Sequence, residues 1–150
     1  MTRLSRFLNL SAPERTILII AVPLVAAVRL CLLIVPFPTL YKAWLATLPR
    51  LARTPSAESP SPERVVWLVA VASRSIPGAR CLPQSVAAQL LLARQGHLVE
   101  LRIGVRKQDD ELEAHAWLEH NGAPISDSDA KIEHFIPFPR EIASPLDRAK

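Results

Sequence analysis

The chain has 150 residues, a net charge of +4 and a hydrophobic fraction of 49%. This length fits one domain of ordinary size, the apolar content excludes an intrinsically disordered chain, and two cysteines are too few for a disulfide-stapled secreted mini-protein. The basic residues are scattered, without long Lys/Arg runs or interleaved aromatic residues, so the charge does not indicate a nucleic-acid-binding protein. The charge is also uneven, since residues 1–108 are basic overall and residues 109–150 are acidic.

An apolar segment dominates the N-terminal part, where 17 of the 19 residues from 17 to 35 are hydrophobic. Ser11 suits a helix N-cap, Pro13 suits the first turn, and Glu14 completes a capping box, so the segment is predicted to be a helix. We interpret Cys31, which lies inside this helix, as a core residue.

The same segment has the length of a membrane span, but Arg29 lies near its middle. A charged side chain at that depth costs about 2.5–3.5 kcal/mol, and the segment lacks the cleavage site of a signal peptide. The sequence therefore favours a helix that packs on a domain over a helix that spans a bilayer, and it leaves peripheral membrane contact open.

A second, short helix is predicted from Leu40 to Leu48, with Leu40, Trp44 and Leu48 on one face. Residues 53–62 contain three prolines, three serines and no large apolar side chain, which is typical of a linker. This composition divides the chain into an N-terminal apolar helical region at residues 1–52, a linker at residues 53–62 and a domain at residues 63–150.

A helix is predicted to begin at Cys81, directly after a tight turn at Ile76-Pro77-Gly78. The helix runs to about Gln95, and Gly96 suits the position after its C-cap. The unpaired amides and the macrodipole at a helix N-terminus favour a thiolate, which is the nucleophilic form of cysteine. The alternative is a small cysteine that serves only packing.

Alternating apolar and polar residues predict an antiparallel meander after this helix. The meander consists of a strand at residues 98–105, a solvated turn at 106–111, a strand at 113–119, a hairpin turn at Asn121-Gly122 and a return strand at 123–126. A helix followed by such a meander is an α+β arrangement.

A cysteine nucleophile needs a base, and the base needs an orienting acceptor. His115 on the second strand is the candidate base, and Asp127 is the candidate acceptor, with Asp129 as the fallback. A two-residue hairpin loop turns Asp127 to the wrong face, whereas a three-residue loop or an equivalent bulge lets it face His115. Both registers match apolar partners, so both stay open, and the triad hypothesis predicts the three-residue loop or an equivalent bulge.

The string SRSIPGARCLPQSVAAQLLLARQGHLVELRIGV, followed by EAHAWLE and NG, resembles the transglutaminase-like cysteine peptidases of lasso-peptide biosynthesis over about residues 64–127. The earlier PFPTLYK also resembles the N-terminal part of that family. The resemblance implies a transglutaminase-like, papain-like core in which the cysteine helix packs on an antiparallel sheet. It implies Cys81 as nucleophile, His115 as base and Asp127 as orienting carboxylate.

The resemblance further implies a cytoplasmic bacterial peptidase that separates the leader from the core of a ribosomally made precursor peptide. An ATP-dependent macrolactam synthetase would then close the ring. Because residues 1–63 are predicted to contain apolar helices instead of a small β-rich peptide-binding domain, the chain resembles the split form. That form implies a separate leader-recognition protein as partner, and the helices could contribute to its docking surface. No cofactor is expected, and no metal site or phosphate loop is predicted, since HExxH, CxxC and Gly-rich motifs are missing from the sequence.

Two further residues are candidates for the site. Gln84 shares a helical face with Cys81 and would help the Cys81 amide stabilise an oxyanion, or it is an exposed helix residue. Trp117 shares a strand face with His115 and would wall the site, or it packs in the core. The other histidines, His97, His120 and His134, are interpreted as solvated or close to the surface.

Two other functions remain open. One is a non-catalytic or membrane-associated adaptor that docks through its apolar helices. The other is a transglutaminase-like acyl transferase, which shares the acyl-enzyme with the peptidase and differs only in the acceptor. The residues do not assign a role to the C-terminal stretch from 135 to 150.

Overall fold

The four long helices precede the sheet in the chain order. The computed structural model describes residues 9–54, 57–126 and 129–139. The helices are α1 (Ala12–Ile34), α2 (Phe37–Leu51), α3 (Pro62–Ser73) and α4 (Cys81–Arg94), and the strands are β1 (Glu100–Gln108), β2 (Glu111–His120), β3 (Ala123–Pro124) and β4 (Ile136–Pro137). A single helical turn, α5 (Asp129–Ile132), lies between β3 and β4. The predicted α+β class, with the cysteine helix packed on an antiparallel sheet, is confirmed.

Helix α1 begins with the predicted capping box. The Ser11 hydroxyl accepts a hydrogen bond from the Glu14 amide, and the Glu14 carboxylate accepts one from the Ser11 amide. One face of α1 is buried against α3 and α4, through Ile17, Ala21, Val25 and Val28. Cys31 is exposed, so its interpretation as a core residue is wrong. The buried face continues from Val28 to the partly buried Leu32, and Cys31 falls outside that spacing.

Helix α2 is longer than predicted and buries a different face. Its buried residues are Tyr41, Leu45 and Leu48, whereas Leu40 and Trp44 are only partly buried. The face is rotated by about one residue because Tyr41 reaches Gln89 on α4, whose side-chain nitrogen lies 3.4 Å from the phenol oxygen. The helix begins at Phe37, whose ring stacks on Tyr41 with centroids 5.2 Å apart.

Helix α4 lies at the centre of the fold, and α1, α2, α3 and β2 all pack against it. Residues on both sides of the predicted linker contribute to a single hydrophobic cluster, for example Val25 from α1, Leu68 from α3 and Leu92 from α4. The helix ends as predicted, with Gly96 at a φ of 86° and the His97 amide bonded to the Leu92 carbonyl oxygen.

The strands form an antiparallel sheet in the order β3-β2-β1-β4. The turn between β1 and β2 is shorter than the predicted 106–111, because Asp109 and Asp110 alone form it, with φ values of 49° and 65°. Two consecutive residues with positive φ are the geometry of a tight hairpin that matches the strand twist. Residues 106–108 and 111–112 therefore extend the strands.

The hairpin between β2 and β3 has the two-residue loop. Glu119 pairs with Pro124, and Asn121 and Gly122 have φ values of 53° and 80°. The three-residue loop that the triad hypothesis predicts is therefore wrong, since Asn-Gly adopts the two left-handed conformations of a two-residue turn. The chain then leaves the sheet, because the Leu118 amide donates to the Ser126 hydroxyl instead of to a backbone oxygen. The hydrogen bonds between β2 and β3 thus do not determine on which face of the sheet Asp127 lies, and Asp127 is outside the described residues.

The chain crosses from one edge of the sheet to the other between β3 and β4. Strand β4 pairs with Gly104 and Val105 of β1, and Phe135 just before it is buried. Residues 135–139, to which the sequence assigned no role, therefore contribute the edge strand and one core aromatic ring.

Candidate active site

A cavity of about 400 Å³ lies where the start of α4 meets β2. Cys81 and Gln84 line it from α4, and His115 lines it from β2. Ser126 and Lys131, from the crossing between β3 and β4, border the same space. Three of the sequence-predicted site residues therefore share one cavity.

The turn before α4 directs Cys81 into this cavity. The Ala79 amide closes the turn on the Ile76 carbonyl oxygen at 3.2 Å, and Gly78 has a φ of 74° that favours glycine. Helix α4 then begins at Cys81, and neither a side-chain cap at Arg80 nor an acidic residue in the first turn covers its N-terminus. The half-buried free thiol of Cys81 is thus at the positive end of the helix dipole.

The Gln84 side chain, in the first turn of α4, stabilises the preceding turn by a hydrogen bond. Its side-chain nitrogen donates a hydrogen bond of 2.8 Å to the Ala79 carbonyl oxygen, two residues before Cys81. An amide nitrogen carries two N–H donors, so this bond uses one of them and holds the other in a fixed plane beside the cavity.

Ser85 ties the cysteine helix to the histidine strand, and the sequence analysis missed it. Its buried hydroxyl donates to the Ala116 carbonyl oxygen at 3.2 Å. Ala116 is the residue after His115, so this bond fixes the strand at the place where the imidazole is attached. The available signal was a small polar residue one helical turn after Cys81, on the side of α4 that faces the core.

Two aromatic rings hold the His115 imidazole. The Trp117 ring stacks on it with centroids 6.2 Å apart and an interplanar angle of 18°, and the Phe135 ring lies 5.2 Å away. Trp117 is fully buried and packs beside the imidazole, and it is not among the described residues that line the cavity. Its indole nitrogen donates to Glu119 at 3.0 Å, which fixes the ring plane. Phe135 could not be found from the sequence, because twenty residues separate it from His115.

The charges around the cavity are Arg80, Lys131 and Glu113. Glu113 is paired with Arg106 on β1 at 2.6 Å, and the Arg106 guanidinium also lies 4.8 Å from the Phe135 ring centroid. The charge of Glu113 is therefore neutralised by Arg106, which does not itself line the cavity.

The third residue of the predicted triad cannot be placed from the described part of the chain. Asp127 lies outside the described residues, and for Asp129 the structure gives the backbone, as the first residue of α5. The cavity-lining residues Ser126 and Lys131 flank both aspartates in the sequence. The segment that carries the two candidate acceptors thus borders the cavity at both ends.

The remaining histidines lie elsewhere. His97 and His120 form a half-buried edge-to-face pair with centroids 5.7 Å apart, whereas His134 is exposed. The pKa of Glu63 is lowered by a hydrogen bond from the Glu63 backbone and by one from the Ser61 side chain. The electrostatic effect of His120 and His97 lowers it further. Among the described residues, no group of three or more His, Cys, Asp or Glu side chains is placed to hold a metal ion.

A family model described as the transglutaminase-like superfamily matches residues 24–140 of the chain. The match begins inside α1 and ends just after β4, so it contains the whole cavity. Comparisons with curated proteins and with solved structures gave no match.

Proposed function

The chain belongs to the transglutaminase-like superfamily, which includes cysteine peptidases, and from this membership we propose that it cleaves the leader from a ribosomally made lasso-peptide precursor. The observation that carries the proposal is the cavity that Cys81 and His115 share. The motifs CLPQ at Cys81 and HAWLE at His115, which resemble the leader peptidases of lasso-peptide biosynthesis, support the choice of substrate.

In the proposed reaction the thiol proton of Cys81 passes to His115, and the thiolate attacks the scissile carbonyl carbon of the precursor. The resulting tetrahedral oxyanion collapses to a thioester and expels the amine of the core peptide, which takes the proton from His115. His115 then removes a proton from water, and the hydroxide attacks the thioester carbonyl carbon. The C–S bond breaks, the Cys81 sulfur takes the proton from His115, and the leader departs as a carboxylic acid. Asp127 is the proposed acceptor that orients the imidazole.

The oxyanion is proposed to accept hydrogen bonds from the Cys81 backbone amide and from the second N–H of Gln84. The bond from Gln84 to Ala79 supports this role because it holds the side chain next to the nucleophile before substrate arrives. A preorganised donor costs no reorganisation when the charge develops.

The proposed partners follow from the likeness to the split peptidases. They are a separate leader-recognition protein, which presents the precursor, and an ATP-dependent macrolactam synthetase, which uses the freed amine of the core. The proposed site of action is the bacterial cytoplasm.

The test uses the purified full chain with a lasso-peptide precursor and its leader-recognition protein, and mass spectrometry follows release of the leader. We expect release by the native chain and none by Cys81→Ala or His115→Ala. Cys31→Ala is the matched control, because it removes the exposed cysteine of α1 and should leave cleavage unchanged. Full cleavage by Cys81→Ala would overturn the mechanism.

A second measurement separates hydrolysis from acyl transfer, since the superfamily also contains transferases. An added primary amine that appears as a mass gain on the leader fragment, in place of the free acid, would assign the transferase reaction. Release of the free acid in the presence of that amine assigns the peptidase reaction.

A further inference from the structure

Helix α1 presents an apolar stripe to solvent along most of its length. The stripe consists of large aliphatic residues whose exposed fractions range from 40% to 83%, namely Ile19, Val22, Leu30, Leu33 and Ile34. Positions 19, 22, 26, 30 and 33 fall on one helical face, opposite the buried face of α1. The helix is long and apolar enough to cross a membrane, yet only 22% of the residues in its most apolar 18-residue stretch are buried. The protein's own core therefore covers a minor part of this helix.

Arg29 does not interrupt the stripe, because its side chain is directed to the domain. The guanidinium lies against the turn before α4, where a Cβ added at Gly78 would be 2.9 Å from an Arg29 nitrogen. No other charged residue occurs from Thr16 to Tyr41. The exposed face of α1 is thus uncharged from Ile19 to Ile34, while Arg15 lies one turn before it on the same face.

The charge of the helical region that carries the stripe favours an anionic partner. Residues 9–54 contain five basic side chains, Arg15, Arg29, Lys42, Arg50 and Arg53, and a single acidic one, Glu14. Arg29 is directed to the domain, so the other four carry the positive charge of the surface. Glu14 is itself paired with Arg64 of α3. A dimer formed through α1 would bring two basic surfaces together, which repel each other. An anionic lipid surface instead attracts each of the basic side chains.

We propose that α1 lies in the plane of an anionic membrane surface, with its exposed stripe in the boundary between headgroups and acyl chains. The opposite face stays packed on α3 and α4, so the helix binds the membrane without leaving the domain. A spanning orientation would detach the buried residues Ala21 and Val25 from the core and carry Arg29 into the hydrocarbon. A helix that lies in the interface keeps Ala21 and Val25 in the core and Arg29 against the domain, while the lipid covers the exposed stripe.

The test is co-sedimentation of the purified full chain with vesicles of equal parts phosphatidylglycerol and phosphatidylcholine. We expect binding to these vesicles, weaker binding to pure phosphatidylcholine, and a decrease when salt is raised from about 0.1 M to about 0.5 M. The variant Leu30→Asp/Leu33→Asp should reduce vesicle binding by about tenfold or more, since it places two charges in the stripe. The matched control is Leu98→Asp/Leu112→Asp, which makes the same exchange at two leucines outside α1 that are at least as exposed, and it should bind like the native chain.

Each other outcome overturns the proposal. Equal loss of binding in both double variants would show that the added negative charge, and not the stripe, is responsible. Bound protein that resists alkaline carbonate extraction would indicate a span, and a dimer that the α1 variant abolishes without vesicle binding would assign the stripe to a second copy. Absence of vesicle binding by the native chain, with a thermal melt that shows it folded, would leave the stripe to a protein partner.

Discussion

The hydroxyl of Ser85 donates a hydrogen bond to the carbonyl oxygen of Ala116, and this bond joins the cysteine helix to the histidine strand. Both groups are buried, so the bond is protected from competing water. It lies four residues after Cys81 on one element and one residue after His115 on the other. The separation of the proposed nucleophile and base thus depends on a hydroxyl that takes no part in the reaction.

Ser85→Ala is expected to lower the free energy of unfolding by about 1–2 kcal/mol, because the buried Ala116 oxygen loses the hydroxyl. It should also lower kcat for the proposed leader cleavage by about tenfold, since small misplacements of reacting groups are costly. Urea denaturation and leader release by mass spectrometry measure the two effects. Ser73→Ala is the matched control, because Ser73 is equally buried and bonds only the Val69 oxygen of its own helix. A kcat that falls equally in both variants would contradict the positioning role.

The Phe135 ring supports His115 from the far edge of the sheet, and its truncation is expected to loosen the imidazole. Phe135→Leu should cost about 1 kcal/mol of stability and lower kcat with little effect on KM. Phe138→Leu makes the same exchange three residues later, where the side chain is 39% exposed, and should change neither quantity. Unchanged kcat in Phe135→Leu would mean that Trp117 alone holds the imidazole.

The sequence predicted the local features of this fold well. The capping box at Ser11, the turn at Gly78, the start of α4 at Cys81 and the end of that helix at Gly96 each depend on residues within a few positions of one another. Such signals act through the backbone of a single segment, so they can be recognised without knowledge of the tertiary structure.

The features that the sequence did not predict depend on distant contacts. The buried face of α2 follows from the approach of Tyr41 to Gln89, which is 48 residues away. Phe135 reaches His115 only because the chain crosses the sheet to form β4. The hairpin loop shows a third case. The triad hypothesis favoured a three-residue loop, His120-Asn121-Gly122, whereas the backbone preferences of Asn121-Gly122 produced a two-residue loop.

Gly104 is the position on β1 where the sheet allows no side chain. A Cβ there would lie 3.0 Å from the Ile136 carbonyl oxygen and 3.0 Å from the Trp117 ring. Gly104→Ala is therefore expected to displace β4 or the indole and to cost about 1–3 kcal/mol of stability. Because the indole packs on His115, leader cleavage should fall as well, and near-UV circular dichroism should report the moved ring.

The comparison for this prediction is Gly122→Ala at the tip of the hairpin. An added Cβ meets nothing within 4 Å there, so its cost comes only from the φ of 80°. We expect some loss of stability and normal cleavage from this variant. A Gly104→Ala protein with native stability and native cleavage would show that the sheet adjusts to the added methyl group.

Tyr41 makes the stability of the fold sensitive to alkaline pH. Burial raises the pKa of Tyr41 from 10.0 to about 12, while the hydrogen bond from Gln89 lowers it by less. Below pH 10 the phenol is protonated in the folded and the unfolded chain, so stability does not depend on it. Between pH 10 and 12 the unfolded chain loses this proton and the folded chain keeps it, which favours unfolding by about 1.4 kcal/mol for each pH unit.

This alkaline loss can be measured directly, because Tyr41 is the single tyrosine of the chain. The near-UV absorbance of tyrosinate should rise only near pH 12 in the folded protein and near pH 10 in urea. In Tyr41→Phe the free energy of unfolding should fall less steeply above pH 10 than in the native chain, since no phenol remains to ionise. A tyrosinate signal that rises near pH 10 in the folded protein would place Tyr41 in contact with water and contradict the packing of α2 on α4.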